Sequence, residues 1–232
     1  MSSPLSFAFQ PIVHAGLRRI VSHEALIRGS EGEPAASVLT DLSRRALQDV
    51  DAQARCVAIA LAARLGIDTW LNLNITPQGL MAGPAMAITL DTAARYGLDA
   101  DRLVMEVTET EVVADGVRFA EAIQELRRRG VHLAIDDFGA GYSGLNLLAE
   151  FQPDLLKLDM NLVRGIESRG PKQAIVRAVL AACRDLGIDV VAEGVETYEE
   201  FAWFRDHGIT LFQGYLFARP AFESLPAAVY PV

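Results

Sequence analysis

"LAIDDFGAGYSG", residues 133–144, decides how this chain is read. Gly139, Gly141 and Gly144 spell G-x-G-x-x-G directly after an apolar, strand-like run, and an acid, Asp159, follows about 20 residues on. A dinucleotide-binding Rossmann unit asks for those features. Yet Asp136 and Asp137 stand where the strand hands over to the glycines. Two anions beside a docking pyrophosphate repel it. The neighbouring strands must decide.

Outward from that stretch the chain alternates. Apolar strand patterns at 69–74, 102–107, 131–137, 154–159, 188–193 and 209–213 are separated by helical patterns at 86–96, 117–129, 143–150, 171–186 and 198–206. Gly66, Gly97, Gly130, Gly187 and Gly208 each stand just before the next strand, at helix C-cap positions. Upstream, 5–13 and 19–28 read as a hairpin around His14-Ala15-Gly16, followed by helical patterns at 35–47 and 51–65. The later strands are nearly continuous apolar runs, as parallel strands buried on both faces require. About eight strands in 232 residues, with no break in composition, predict one α/β domain over 1–232, a (β/α)8 barrel. The hairpin predicts one antiparallel strand near the N-terminus. The Rossmann reading falls, and the glycines are read as a loop bending sharply around a charged site.

Composition narrows the partners. The net charge of −9 disfavours long nucleic acids but not a small phosphorylated ligand held through metal ions. The longest apolar run, about eight residues at 56–63, is far short of the ~18 a membrane span needs. The first residues carry no signal-peptide pattern, and Cys56 and Cys183 read as core thiols, so a cytoplasmic location is expected. His23-Glu24 starts a zincin motif that Ile27 breaks.

In such a barrel the residues at the C-terminal strand ends face the active site. Here they are Asn74, Glu106, Asp136 with Asp137, Lys157 with Asp159, Glu193 and Gln213. Any one of them alone reads as a helix cap or a turn residue. Together they are converging carboxylates that need cations between them. All-oxygen donors suit magnesium or manganese, and several acids with one shareable aspartate suggest two ions clamping a phosphoryl displacement. Lys157 then holds the nucleophilic water or neutralises developing charge; the plainer reading is a salt bridge to Asp159, two residues along the same face.

These residues resemble a known family. "FQPIV" (9–13), "EALIRG" (24–29), "LNLNITP" (71–77), "EVTE" (106–109), "DDFGAGYSGLNLL" (136–148), "KLD" (157–159), "AEGVET" (192–197) and "FQGYLFARP" (212–220) stand in the order found in the EAL-domain cyclic di-GMP phosphodiesterases. The resemblance implies a modified triosephosphate-isomerase-type barrel and hydrolysis of cyclic di-GMP to linear pGpG with two magnesium or manganese ions. It implies Glu24, Asn74, Glu106 and Asp136 as ligands of one metal, and Asp136, Asp137 and Glu193 as ligands of the other. Asn74 is preferred to Asn72 because it precedes Ile-Thr-Pro. Catalysis is expected of Lys157, which positions the water, and of Glu193 and Glu24. Gln10 and Arg28 resemble substrate contacts, with Asp159 and Gln213 further members of the site. Glu109 resembles the residue that fixes the glycine loop, and the geometry expected is acceptance of backbone amides or the Ser143 hydroxyl. A homodimer is implied as well. Departures at Gly29, Ala140 and Met160-Asn161 touch no implied ligand.

Two other readings compete. One is a catalytically weak EAL domain that serves as a cyclic di-GMP receptor or binds another protein. The other is enolase-type proton abstraction, which also uses barrel-end acids and a lysine.

Overall fold

The structure is a computed structural model and describes residues 5–39, 44–109, 115–141 and 144–231. Among these lie nine strands: β1 (Leu5–His14), β2 (Arg19–Gly29), β3 (Trp70–Asn74), β4 (Leu103–Thr108), β5 (His132–Phe138), β6 (Leu155–Leu158), β7 (Asp189–Ala192), β8 (Leu211–Phe212) and β9 (Ala221–Phe222). β2 to β8 run parallel in chain order. β1 closes the ring by pairing antiparallel with both β2 and β8. The result is the closed eight-stranded barrel with one reversed strand that the hairpin predicts. β9, which the sequence does not announce, adds antiparallel to β1 outside the ring.

Helices cover the outside. Their apolar faces pack on the outward side chains of the strands, as with Phe119, Ile123 and Leu126 on the helix Gly116–Arg128. Gly187 ends the helix Gly170–Leu186 in the left-handed conformation (φ 72°) expected of a glycine C-cap. One boundary differs. The two helical patterns at 35–47 and 51–65 give way to a helix Ala35–Leu39 and an unbroken helix Arg44–Arg64. The acidic stretch around Asp51 holds no glycine or proline to stop a helix. Asp51 instead pairs with Arg55 one turn on, at 2.5 Å. Short helices at Pro77–Met81 and Met160–Val163 fill two strand–helix connections that the sequence pattern leaves irregular.

The inside of the barrel is layered. Ile12, Val104, Ala134, Leu155 and Val191 meet as an apolar floor. Alternate residues on a strand share a face, 6–7 Å apart. Two residues beyond four of these floor positions stand Glu106, Asp136, Lys157 and Glu193. On the reversed strand β1 the step runs the other way, so Gln10, two residues before Ile12, reaches the same level. The period of the strand therefore puts a polar storey directly on the floor, facing the C-terminal mouth.

Candidate active site

Lys157 is the centre of the polar storey. It is 1% exposed, and its Nζ lies 2.8 Å from Glu193, 2.9 Å from Glu106, 3.0 Å from Asp136 and 3.3 Å from Glu24. The salt bridge to Asp159 does not form among these contacts. Asp159 instead caps the helix Met160–Val163, accepting the Asn161 amide at 2.9 Å. Burial alone lowers an ammonium's pKa, but Asp136, Glu106, Glu193 and Glu24 outweigh it and hold Lys157 well above its ordinary value.

One ammonium cannot balance four carboxylates. Glu106 is fully enclosed, and burial raises its pKa to about 8, with Lys157 opposing and Glu24 and Asp136 adding to the rise. Burial likewise lifts Glu193 well above the usual carboxylate range, with Asp136 and Glu24 adding to it against Lys157. Asp137 rises to about 6, first from burial, then from the charges of Asp136 and Asp159. Among the described residues Glu106 Oε2 has no hydrogen-bond partner although it is buried. Glu24, Glu106 and Asp136 can bring one carboxylate oxygen each within 4.8 Å of one another, and so can Asp136, Asp137 and Glu193. An orphaned carboxylate oxygen, excess negative charge and hard oxygen donors fit a divalent cation.

The second group depends on a bulge. Ile135 pairs with Leu156 and Phe138 with Leu158, so β5 spends one residue more than β6 over that step. Asp137 takes a left-handed backbone (φ 54°), which aspartate tolerates better than most residues. Strict alternation would send Asp137 away from Asp136. The extra residue turns both toward the mouth.

The rest of the storey is tied down by neighbours. Gln213 Nε2 donates to Glu24 Oε2 at 2.6 Å and reaches Gln10 Oε1 at 3.2 Å, while Gln10 Nε2 donates to the Ala218 carbonyl. Glu109 is buried under the glycine loop and accepts the Gly139 amide at 2.6 Å and the Gly141 amide at 3.3 Å. Ser143, the other partner expected for Glu109, lies outside the described residues. Gly139 holds φ 100°, and a Cβ there would lie 2.2 Å from Leu162 Cδ1, so the loop needs glycine at that point.

Asn74 is exposed at the end of β3, where its backbone stands opposite Glu106. With Arg28 it lines a cleft of about 470 Å³ that opens between β2, β3 and the helix Arg44–Arg64. Arg28 Nη1 donates to the neighbouring Ile27 carbonyl at 2.7 Å. Asn72, set aside in favour of Asn74, is wholly buried within the barrel and donates to Glu106 Oε1 at 2.7 Å. Its two-residue spacing from Asn74 was the signal available: both side chains share one face.

A reversed-strand barrel with carboxylates gathered round a buried lysine at its mouth defines a class. The chain belongs to the EAL domain family, whose model matches residues 2–220. It is 36% identical over 227 residues, 97% of its length, to the blue light- and temperature-regulated antirepressor BluF of Escherichia coli. It is also 36% identical over 159 residues, 68% of its length, to the cyclic di-GMP phosphodiesterase RocR of Pseudomonas aeruginosa. The chain spans 56% of the first relative's length and 40% of the second's. Among solved structures it matches the manganese and cyclic di-GMP complex of Klebsiella pneumoniae BlrP1 with a TM-score of 0.95 and 43% identity, covering 100% of this chain and 59% of that one. It matches the cyclic di-GMP-bound form of a standalone EAL protein from Vibrio cholerae with a TM-score of 0.93 and 40% identity, covering 99% of this chain and 97% of that one.

Proposed function

We propose that the chain is a divalent-metal-dependent phosphodiesterase that opens cyclic di-GMP to linear pGpG, acting as one domain over residues 1–232. The observation that carries the reading is the charge imbalance of the storey: four carboxylates share one buried ammonium, and an enclosed Glu106 oxygen is left without a partner among the described residues. In this reading Glu24, Asn74, Glu106 and Asp136 hold one magnesium or manganese ion, and Asp136, Asp137 and Glu193 hold the other. When bound, the two ions supply Lewis acidity toward the attacking water and the phosphodiester.

The chain's own residues do the rest. Lys157 stays protonated against its four partners, so it orients a water and offsets charge developing on the phosphoryl oxygens. Glu193 stands at the rim of the storey with a pKa raised by burial, and in the proposal it receives the water's proton. Gln213 holds Glu24 in place. Gln10 and Arg28 contact the substrate, as does Asp159. Glu109 keeps the glycine loop closed over the aspartates. We place the protein in the cytoplasm as a homodimer; no helix among the described residues is long and apolar enough to cross a membrane.

Incubation of the protein with cyclic di-GMP and either Mg²⁺ or Mn²⁺, with and without EDTA, tests the reaction by chromatography. Metal-dependent appearance of pGpG is expected, with slower loss of pGpG itself. A second reading is favoured by the match to an antirepressor over 97% of this chain: a domain that regulates a partner protein. Cyclic di-GMP left intact under both metals would select that reading.

A further inference from the structure

Asn72 touches no group that reacts, yet its surroundings leave it one orientation. Its amide lies between Ser22, whose hydroxyl can donate or accept, and Glu106 Oε1, which accepts, so the carboxylate decides which end faces which. Ser22, on β2 and 3% exposed, donates its hydroxyl to Asn72 Oδ1. The other end, Nδ2, donates to Glu106 Oε1 at 2.7 Å. The reverse orientation would set an amide oxygen against a carboxylate, with no hydrogen between them. Lys157 reaches Glu106 Oε1 as well, at 2.9 Å. Both donors therefore use the same carboxylate oxygen, and Oε2 is left buried and unpartnered among the described residues.

We infer that Asn72, locked by Ser22, is a positioning residue that commits Glu106 Oε1 to the protein and presents Oε2 to a divalent cation. The inference rests on the metal-binding reading given above. The lock works from beneath. Ser22 and Asn72 line a cleft of about 480 Å³ on the N-terminal side of the barrel, away from the mouth where Asn74 stands. From this side the carboxylate is held by Asn72 and Ser22, groups that lie away from the substrate. Outer groups that orient a metal-binding carboxylate are worth about 10–100-fold in metal affinity.

The test is Mn²⁺ binding to the substrate-free protein, followed by electron paramagnetic resonance of free Mn²⁺ and by the shift in melting temperature. Asn72→Leu keeps the volume and removes the donor; affinity should fall about 10–100-fold. Ser22→Ala removes the partner of Asn72 Oδ1, leaves the amide anchored at Glu106 alone, and should weaken binding in the same direction by less. It also keeps the inference testable where Asn72→Leu fails to fold. Val104→Ala is the structural control. It hollows the apolar floor without touching Glu106, and should lower the melting temperature while Mn²⁺ affinity holds. In activity assays the Asn72 and Ser22 variants should need more metal for half-maximal rate, with KM for cyclic di-GMP unchanged at saturating metal. Wild-type protein that binds no Mn²⁺ would overturn the metal reading and this inference together. Wild-type binding with equal affinity in the Asn72 and Ser22 variants would overturn the inference alone.

Discussion

Glu109 and Glu193 show what single carboxylates can do at different depths of the site. Glu109 spends its charge on two loop amides. A hydrogen bond to a charged group is worth about 1.5–3 kcal/mol, and a glycine-rich loop has much conformational entropy to lose. Glu109→Ala is expected to keep its circular dichroism spectrum and lose most activity, with partial recovery at high Mg²⁺ as the cation orders the aspartates. The same kinetics as wild type across the Mg²⁺ titration would remove the tether role. Glu111, two residues on in the chain, lies outside the described residues, and Glu111→Ala should be nearly silent. Glu193 faces the mouth. Glu193→Gln should lower kcat by orders of magnitude while cyclic di-GMP binding, measured by calorimetry, survives.

Among the elements, β5 departs from the regular pattern at the site itself. Its bulge depends on Asp137 accepting φ 54°. Asparagine accepts that backbone, whereas a β-branched residue there is a steric outlier. Asp137→Asn should therefore keep the bulge, fold at least as stably as wild type and lose metal-dependent turnover. Asp137→Val should lose about 1–2 kcal/mol of stability in urea titrations even without metal. Equal stability of the two variants would mean that the bulge relaxes. This strand also marks how far sequence reading reaches. Period-two arithmetic from the floor leads to Glu106, Asp136, Lys157 and Glu193, because strict alternation holds there. It is silent about Asp137, whose direction depends on a register slip between two strands. It separates Lys157 from Asp159 poorly, since a short helix begins at Met160 and turns Asp159 to capping. It passes over Asn72, because an amide one step below the strand end looks like any polar residue until its partners on β2 and β4 are in place. β9 is too short to carry a pattern at all.

For the molecule as a whole, the polar storey is a debt in the absence of cations. Glu106 has a folded pKa near 8, above its usual carboxylate value of about 4.5. The folded state thus binds more protons than the unfolded one between those values, and stability falls as pH rises through that window. His23 works in the opposite direction. Burial lowers it to about 4, so it costs stability as pH falls from about 6.5 toward 4. In EDTA, Glu106→Gln should therefore be more stable than wild type at pH 8 and little different at pH 5, by denaturant midpoint. Saturating Mn²⁺ should reverse the order at pH 8. A wild-type protein whose metal-free stability is flat from pH 5 to 8 would refute this account. Ca²⁺ should stabilise the fold as well, yet inhibit turnover, because its looser and larger coordination sphere misplaces the water.

The reversed first strand also sets a timetable. β1 cannot finish its pairing until β8 and β9 exist, and those partners lie about two hundred residues later: Val13 waits for Phe212, and Phe9 for Ala221. During synthesis the opening hairpin leaves the ribosome with one edge open, and it keeps that edge open while seven-eighths of the ring is made. Closure is then a single late event that joins β1 to β8 and β9 and seats Gln213 against Glu24. Non-local closure of this kind is slow. Refolding followed by two probes should therefore separate. Helix content, read by far-ultraviolet dichroism, should return first. Binding of Mn²⁺ should return later, in step with formation of the seam, and a chain stopped before Leu211 should regain helix but no site.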